Sequence, residues 1–211
     1  MSQSQISRIS AGAINKVNDA VVGMPAAPFG PGTSQFAGQL GKRLLLDQDE
    51  VIFDSAMGTV YGGEFQYVRL ASTALAVVVG QLVFWDPSAA DQNLFVTTTS
   101  ESGSTDAAVL VAGVVLNSGW TPGNYSWIQI QGRVPVKFRA ALTSAGAIGS
   151  PVYAAAVGGA DLGFADVIET GTASTFSDVT LLQRRFLGEA YVAPTNGSLT
   201  DVTVRTQNWR S

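Results

Sequence analysis

Apolar and polar residues alternate most regularly at Val134, Val136 and Phe138 against Pro135, Lys137 and Arg139. A period of two predicts a half-buried β-strand. Pro135 inside it predicts an edge or a bulge, because proline has no N–H to give to a ladder. Glu64 to Leu70 is rich in β-favouring residues and predicts another strand. The most apolar stretch, Leu70 to Trp85, is shorter than the ~20 residues of a membrane helix and is broken by Ser72, Thr73, Gly80 and Gln81. It predicts two strands around a turn, and no membrane span. Turn chemistry follows at Asp86-Pro87-Ser88, in the segment from Ser100 to Asp106, and at Thr121-Pro122-Gly123-Asn124 before a strand from Tyr125. Gly158, Gly159, Gly163 and Gly171 punctuate a second long excursion before a strand at 179–187. Short strands separated by turn signals predict an all-β fold, a small β-barrel or sandwich of short antiparallel strands.

Two stretches share one layout. The first reads Gly80-Gln81-Leu82-Val83-Phe84, then Val111-Ala112-Gly113-Val114-Val115, then Trp127-Ile128-Gln129-Ile130. The second reads Gly149-Ser150-Pro151-Val152-Tyr153, then Phe186-Leu187-Gly188-Glu189-Ala190, then Asp201-Val202-Thr203-Val204. Gly113 and Gly188, each within an apolar strand, predict bulges or close backbone approach. The reading is a domain over 47–211 with two loosely repeated halves, about 47–140 and 141–211. Residues 1–46 differ. Ile6, Ile9, Ala13, Val17 and Val21 fall roughly on one helical face, which predicts a short amphipathic helix, and Gly23 to Gly32 with its prolines predicts an extended strap, a disordered tail being the alternative. Together they make an extended N-terminal arm that needs another surface to bury its stripe.

Composition narrows the function. Charged residues make up 13% of the 211, about half the usual share, while 46% are apolar. So low a charge predicts either a surface covered by partners or a β protein with a polar, uncharged Ser/Thr/Gln face. The net charge of −4 and the lack of a Lys/Arg block predict no nucleic-acid ligand; Arg184-Arg185 is the densest basic spot. Histidine and cysteine are absent, which excludes Ser-His-Asp and Cys-His catalysis, thiolate sites and disulfides. A chain without cysteine suits a reducing cytosol, and Met1 to Gln5 shows no secretory pattern. Asp47, Asp49, Glu50 and Asp54 cluster, but Val51 and Ile52 stand where a calcium loop needs a ligand and a glycine. The cluster reads as a turn leading into a strand at Val51-Ile52-Phe53. Gly41-Lys42 is no phosphate loop, since Phe36 and Arg43 break the motif. Of four tryptophans, Trp85 and Trp127 read as packing residues and Trp120, at a turn, as the exposed candidate for stacking on a sugar; Trp209 lies near the C-terminal end. Asn124-Tyr125-Ser126 and Asn196-Gly197-Ser198 match a glycosylation sequon with no secretory signal to give it weight.

The region from Phe65 to Val204 resembles the capsid cement, or head decoration, proteins of tailed bacteriophages. The resemblance rests on Tyr67-Val68-Arg69, on Gly80-Gln81-Leu82-Val83, on Val111 to Leu116, and on Gly123 before the run Trp127 to Val134. It implies a β-barrel virion protein, made in the host cytoplasm, that sits on the capsid outer surface as a homotrimer. There it would lock neighbouring major capsid protein subunits. The long arm and the second half depart from smaller members of that group. The expectation is therefore a structural protein and not an enzyme, with no catalytic, cofactor-binding or metal-binding residues and no cofactor. Its partners would be the major capsid protein and itself, not nucleic acid or membrane. Alternatives are another phage component (tail or baseplate), a carbohydrate or host-recognition module using Trp120, and a carboxylate enzyme.

Overall fold

A computed structural model describes residues 8–9, 40–46, 51–54, 58–86, 89, 94–98, 110–116, 120–155, 163–167 and 186–206. These residues are all-β. The strands are β1 (Arg8–Ile9), β2 (Arg43–Leu46), β3 (Val51–Asp54), β4 (Gly58–Tyr61), β5 (Gly63–Leu70), β6 (Leu82–Trp85) and β7 (Phe95–Thr97). They continue with β8 (Val111–Val115), β9 (Tyr125–Lys137), β10 (Pro151–Ala154), β11 (Ala165–Val167), β12 (Phe186–Ala190) and β13 (Leu199–Arg205). Strands β3 and β4 form a separate hairpin.

Strands β5 to β13 close into two rings that share β9, and β1 and β2 extend the sheet from β5. In the first, β5 pairs with β7, β7 with β6, β6 with β8, β8 with β9, and β9 returns to β5. In the second, the C-terminal half of β9 pairs with β13, β13 with β12, β12 with β10 and β10 with β11. A parallel bridge from Phe138 to Ala165 closes it. The order and direction of pairing are the same in both rings. So are the hydrogen bonds at their ends. Leu70 N–H donates to Asn124 O at 2.9 Å as Phe138 N–H does to Ser198 O at 2.9 Å, and Gly80 N–H donates to Val115 O at 2.9 Å as Gly149 N–H does to Ala190 O at 2.8 Å.

The repeated glycines have backbone reasons. Gly80 and Gly149 take φ of 76° and 80° in the turn that opens the second strand of each ring, a region that costs a side chain about 1–2 kcal/mol. Gly113 and Gly188 sit where the ladder slips by one residue, between Val83 and Phe84 opposite one and between Val152 and Tyr153 opposite the other. A Cβ on Gly113 would stand 2.7 Å from Gln129 O, and one on Gly188 would collide with Thr203 O. The bulge also sets the faces: Ala112 and Val115 point one way, Val111 and Val114 the other.

Val68, Leu70, Val83, Trp85, Val96 and Ile128 fill the first barrel. Val134, Val136, Phe138, Val152, Leu187 and Val202 fill the second. The other face of the first barrel, with Phe65, Tyr67, Phe84 and Trp127, is apolar too and runs into the same cluster as the second interior. The corresponding face of the second barrel carries Arg133, Lys137, Asp201 and Thr203, as an alternating strand with one solvated side should. Pro135 sits opposite Asp201. Its nitrogen shares the side of the Lys137 N–H, which leaves β13 and donates to Gly80 O at 2.8 Å, so proline costs the β13 ladder nothing.

Three expectations change. The strands are not all antiparallel: β5 with β7, and β1 with β2, run parallel. Arg8–Ile9 are strand where a helix from Ile6 to Val21 was expected; the open edge of β2 supplies hydrogen bonds that an isolated short helix would have to win against water. The rest of that helix and the strap lie outside the described residues. The strand expected at 179–187 is described only from Phe186, and it runs on to Ala190.

Candidate interaction surface

Asp54 ends β3 opposite Gly58, while Asp47, Asp49 and Glu50 lie outside the described residues, as do Arg184, Arg185 and Trp209. Among the described residues no group of three or more His, Cys, Asp or Glu side chains could hold a metal ion. Trp85 and Trp127 are buried, as expected. Trp120 is not exposed: its relative accessibility is 0%. The Thr121–Asn124 turn folds back over the mouth of the first barrel, and the indole Nε1–H donates to Asn124 O at 2.9 Å. There the ring joins Ala71, Ala74 and Val77 as an apolar plug. A buried indole cannot stack on a sugar, so that role for Trp120 is withdrawn.

The second barrel is plugged differently. Matching hydrogen bonds place Arg139 where the first barrel has Ala71: Arg139 N–H donates to Ala165 O at 3.0 Å as Ala71 N–H does to Val96 O at 2.7 Å. The Arg139 guanidinium donates to Asp166 Oδ2 at 3.0 Å. Asp166 Oδ1 accepts the Thr143 and Val167 amides at 2.9 and 2.8 Å, and the Thr143 hydroxyl donates to Oδ2. A carboxylate only 3% accessible is thus fully engaged, as buried charge requires. Beside this network an open groove of about 520 Å³ runs between Leu142–Gly146 and Pro194–Asn196. The sequence signal for it was present but unread: Gly146 and Pro194 stand where the first half has Val77 and Trp120.

Aromatic residues line the outer wall of the first barrel. Tyr67 stacks on Tyr125 with ring centroids 6.0 Å apart and meets Trp127 at 5.2 Å. The Tyr67 hydroxyl is buried with no hydrogen-bond partner. Burial first, and then neighbouring Tyr125, push this phenol up from 10.0 to about 12. A folded-state value above the unfolded one means that the neutral phenol contributes its full stability below pH 10 and loses it as pH rises towards 12. Tyr67→Phe is expected to leave stability at pH 7 within about 1 kcal/mol of the parent or above it, since an orphaned hydroxyl is removed. It should also flatten the loss of stability at alkaline pH. Urea midpoints at pH 7 and pH 11 check both, and a drop of about 2 kcal/mol at pH 7 would mean the hydroxyl has a partner.

Exposed aliphatic residues recur at equivalent loops. Leu75 and Val78, 60% and 49% accessible, stand on the loop between β5 and β6; Ile148, 74% accessible, stands on the loop between β9 and β10. On the second barrel's outer wall Arg133 pairs with Asp201, and its guanidinium lies 3.7 Å over the centre of the half-exposed Tyr191 ring. No family model, curated protein or solved structure matches the chain.

Proposed function

We propose that the protein is a structural virion component that binds the outer surface of a bacteriophage capsid and cements neighbouring major capsid protein subunits. The observation that carries this reading is the duplication. One chain holds two barrels of the same topology, and each presents exposed aliphatic side chains from the loop between its first and second strands. Paired weak contacts on one rigid body bind far better to a surface that repeats than either contact alone, because the second docks at high effective concentration. A capsid lattice is such a surface. The resemblance of Phe65 to Val204 to cement proteins supports the same role, and with it assembly as a homotrimer on the particle. The arm extends the same logic. Residues 1–46 would reach across to a neighbouring subunit, and strand addition of the kind Arg8–Ile9 make within the chain is a mode open to them.

Bare capsids mixed with the protein and sedimented provide the test. The parent chain is expected to co-sediment and to raise the temperature at which the particles release DNA, since a ligand that binds only the intact lattice stabilises it. Replacing Leu75, Val78 and Ile148 together by Asp should abolish co-sedimentation while leaving the isolated protein folded. Equal DNA release from decorated and bare particles would overturn the proposal.

A further inference from the structure

The two barrels share one plan but close their mouths with different residues, and beside the second closure lies an open groove. In the first barrel the turn Trp120-Thr121-Pro122-Gly123-Asn124 lays an indole into the mouth; in the second the matching turn is Pro194-Thr195-Asn196-Gly197-Ser198. Both turns close on a Gly at positive φ, 86° at Gly123 and 66° at Gly197. In both, the last residue's N–H returns to the threonine carbonyl, at 3.2 Å for Asn124 and 3.3 Å for Ser198. In the second barrel the buried Pro194 ring packs directly on Gly146, where a Cβ would stand 2.7 Å from Pro194 Cδ and 3.1 Å from Val167 Cγ2. Among the described residues no indole covers the groove outside it, between Leu142–Gly146 and Pro194–Asn196.

We infer that this groove is a binding site for a neutral carbohydrate. Its volume of about 520 Å³ falls within the roughly 300–1,000 Å³ of small-molecule pockets. None of the side chains lining it is charged, so it offers no counter-charge to a phosphate or a carboxylate. Leu142 and Ala145 supply apolar surface for the C–H face of a sugar ring, with the buried Pro194 ring behind them. The polar groups are preset. Asn196 Oδ1 accepts the Leu142 N–H at 3.1 Å, which fixes the carboxamide and leaves its Nδ2 donors for a ligand. The Thr143 side chain is held by Asp166, and Ser198 Oγ holds Thr195 Oγ1 at 2.6 Å. Groups locked by neighbours in this way lose little freedom when a ligand arrives. This site is separate from the capsid contacts, and either can fail alone.

The test is an amide-shift titration of the full chain with glucose, galactose, mannose and N-acetylglucosamine, and with disaccharides of each. At least one sugar is expected to produce saturable shifts at Ala145, Gly146, Thr195 and Asn196. Asn196→Asp keeps the oxygen that Leu142 needs and removes the two donors, so it should weaken that sugar at least tenfold with the spectrum otherwise unchanged. Pro194→Trp, which rebuilds the plug of the first barrel, should abolish the shifts. Absence of saturable shifts with the whole panel, or a titration unchanged by Asn196→Asp and Pro194→Trp, would overturn the proposal.

Discussion

Trp120→Ala is expected to lower the unfolding free energy by about 3–5 kcal/mol, the range for truncating a large buried aromatic side chain. The indole is wholly buried, it packs in one cluster with Ala71, Ala74 and Val77, and its N–H is satisfied by Asn124 O. Alanine would leave a ring-sized void at the barrel mouth, bounded by backbone whose hydrogen bonds to Leu70 and Asn124 resist collapse. Trp120→Phe keeps most of the volume and loses the hydrogen bond, so its cost should be nearer 1 kcal/mol plus a small packing term. Urea denaturation of the parent and both variants separates these values. If Trp120→Ala costs no more than the exposed control Leu75→Ala, the indole is not the plug described.

That residue also marks where reading the sequence stops. Trp120 sits at a turn, and turns are usually solvated, so exposure was the reasonable expectation. Whether a turn residue is covered depends on what folds over it, here the loop after β5, and a local pattern does not carry that. Strands whose signal is local were legible: the alternation at Val134, Val136 and Phe138, the β-favouring run to Leu70, and the turn before Tyr125. The repeated glycines were legible for the same reason. Gly80 and Gly149 answer a dihedral requirement, and Gly113 and Gly188 a close approach, each fixed within a few residues. Strand direction was not legible. The parallel pairing of β5 with β7 arises because β6 lies between them in sequence and beside β7 in space, so it is a property of the ring as a whole. The groove was hidden for a further reason. It is a difference between two halves, and it emerges only once loops of unequal length are brought into register by their hydrogen bonds.

The difference between the plugs makes the last prediction. Asp166→Ala is expected to cost about 3–5 kcal/mol, because it strips the part-buried Arg139 guanidinium of its carboxylate and two amides of their acceptor. The lower end is expected, since the Arg139 side chain keeps 26% accessibility and water can reach part of it. The loss should not be shared evenly over the molecule. Hydrogen exchange should quicken first at Thr143 and its neighbours on the loop from Arg139 to Ser150, with the first barrel protected as before. The first barrel solves the same geometry without charge, using Ala71 at the place of Arg139. Removing both charges by adding Arg139→Ala to Asp166→Ala should therefore cost less than the sum of the two single changes. Breaking an ion pair is penalised mainly through the partner left behind, whereas deleting both ends removes that penalty. Strict additivity in this double-mutant cycle would mean that Asp166 stabilises the loop only by accepting the Thr143 and Val167 N–H groups. The ion pair would then be incidental to the wall of the groove.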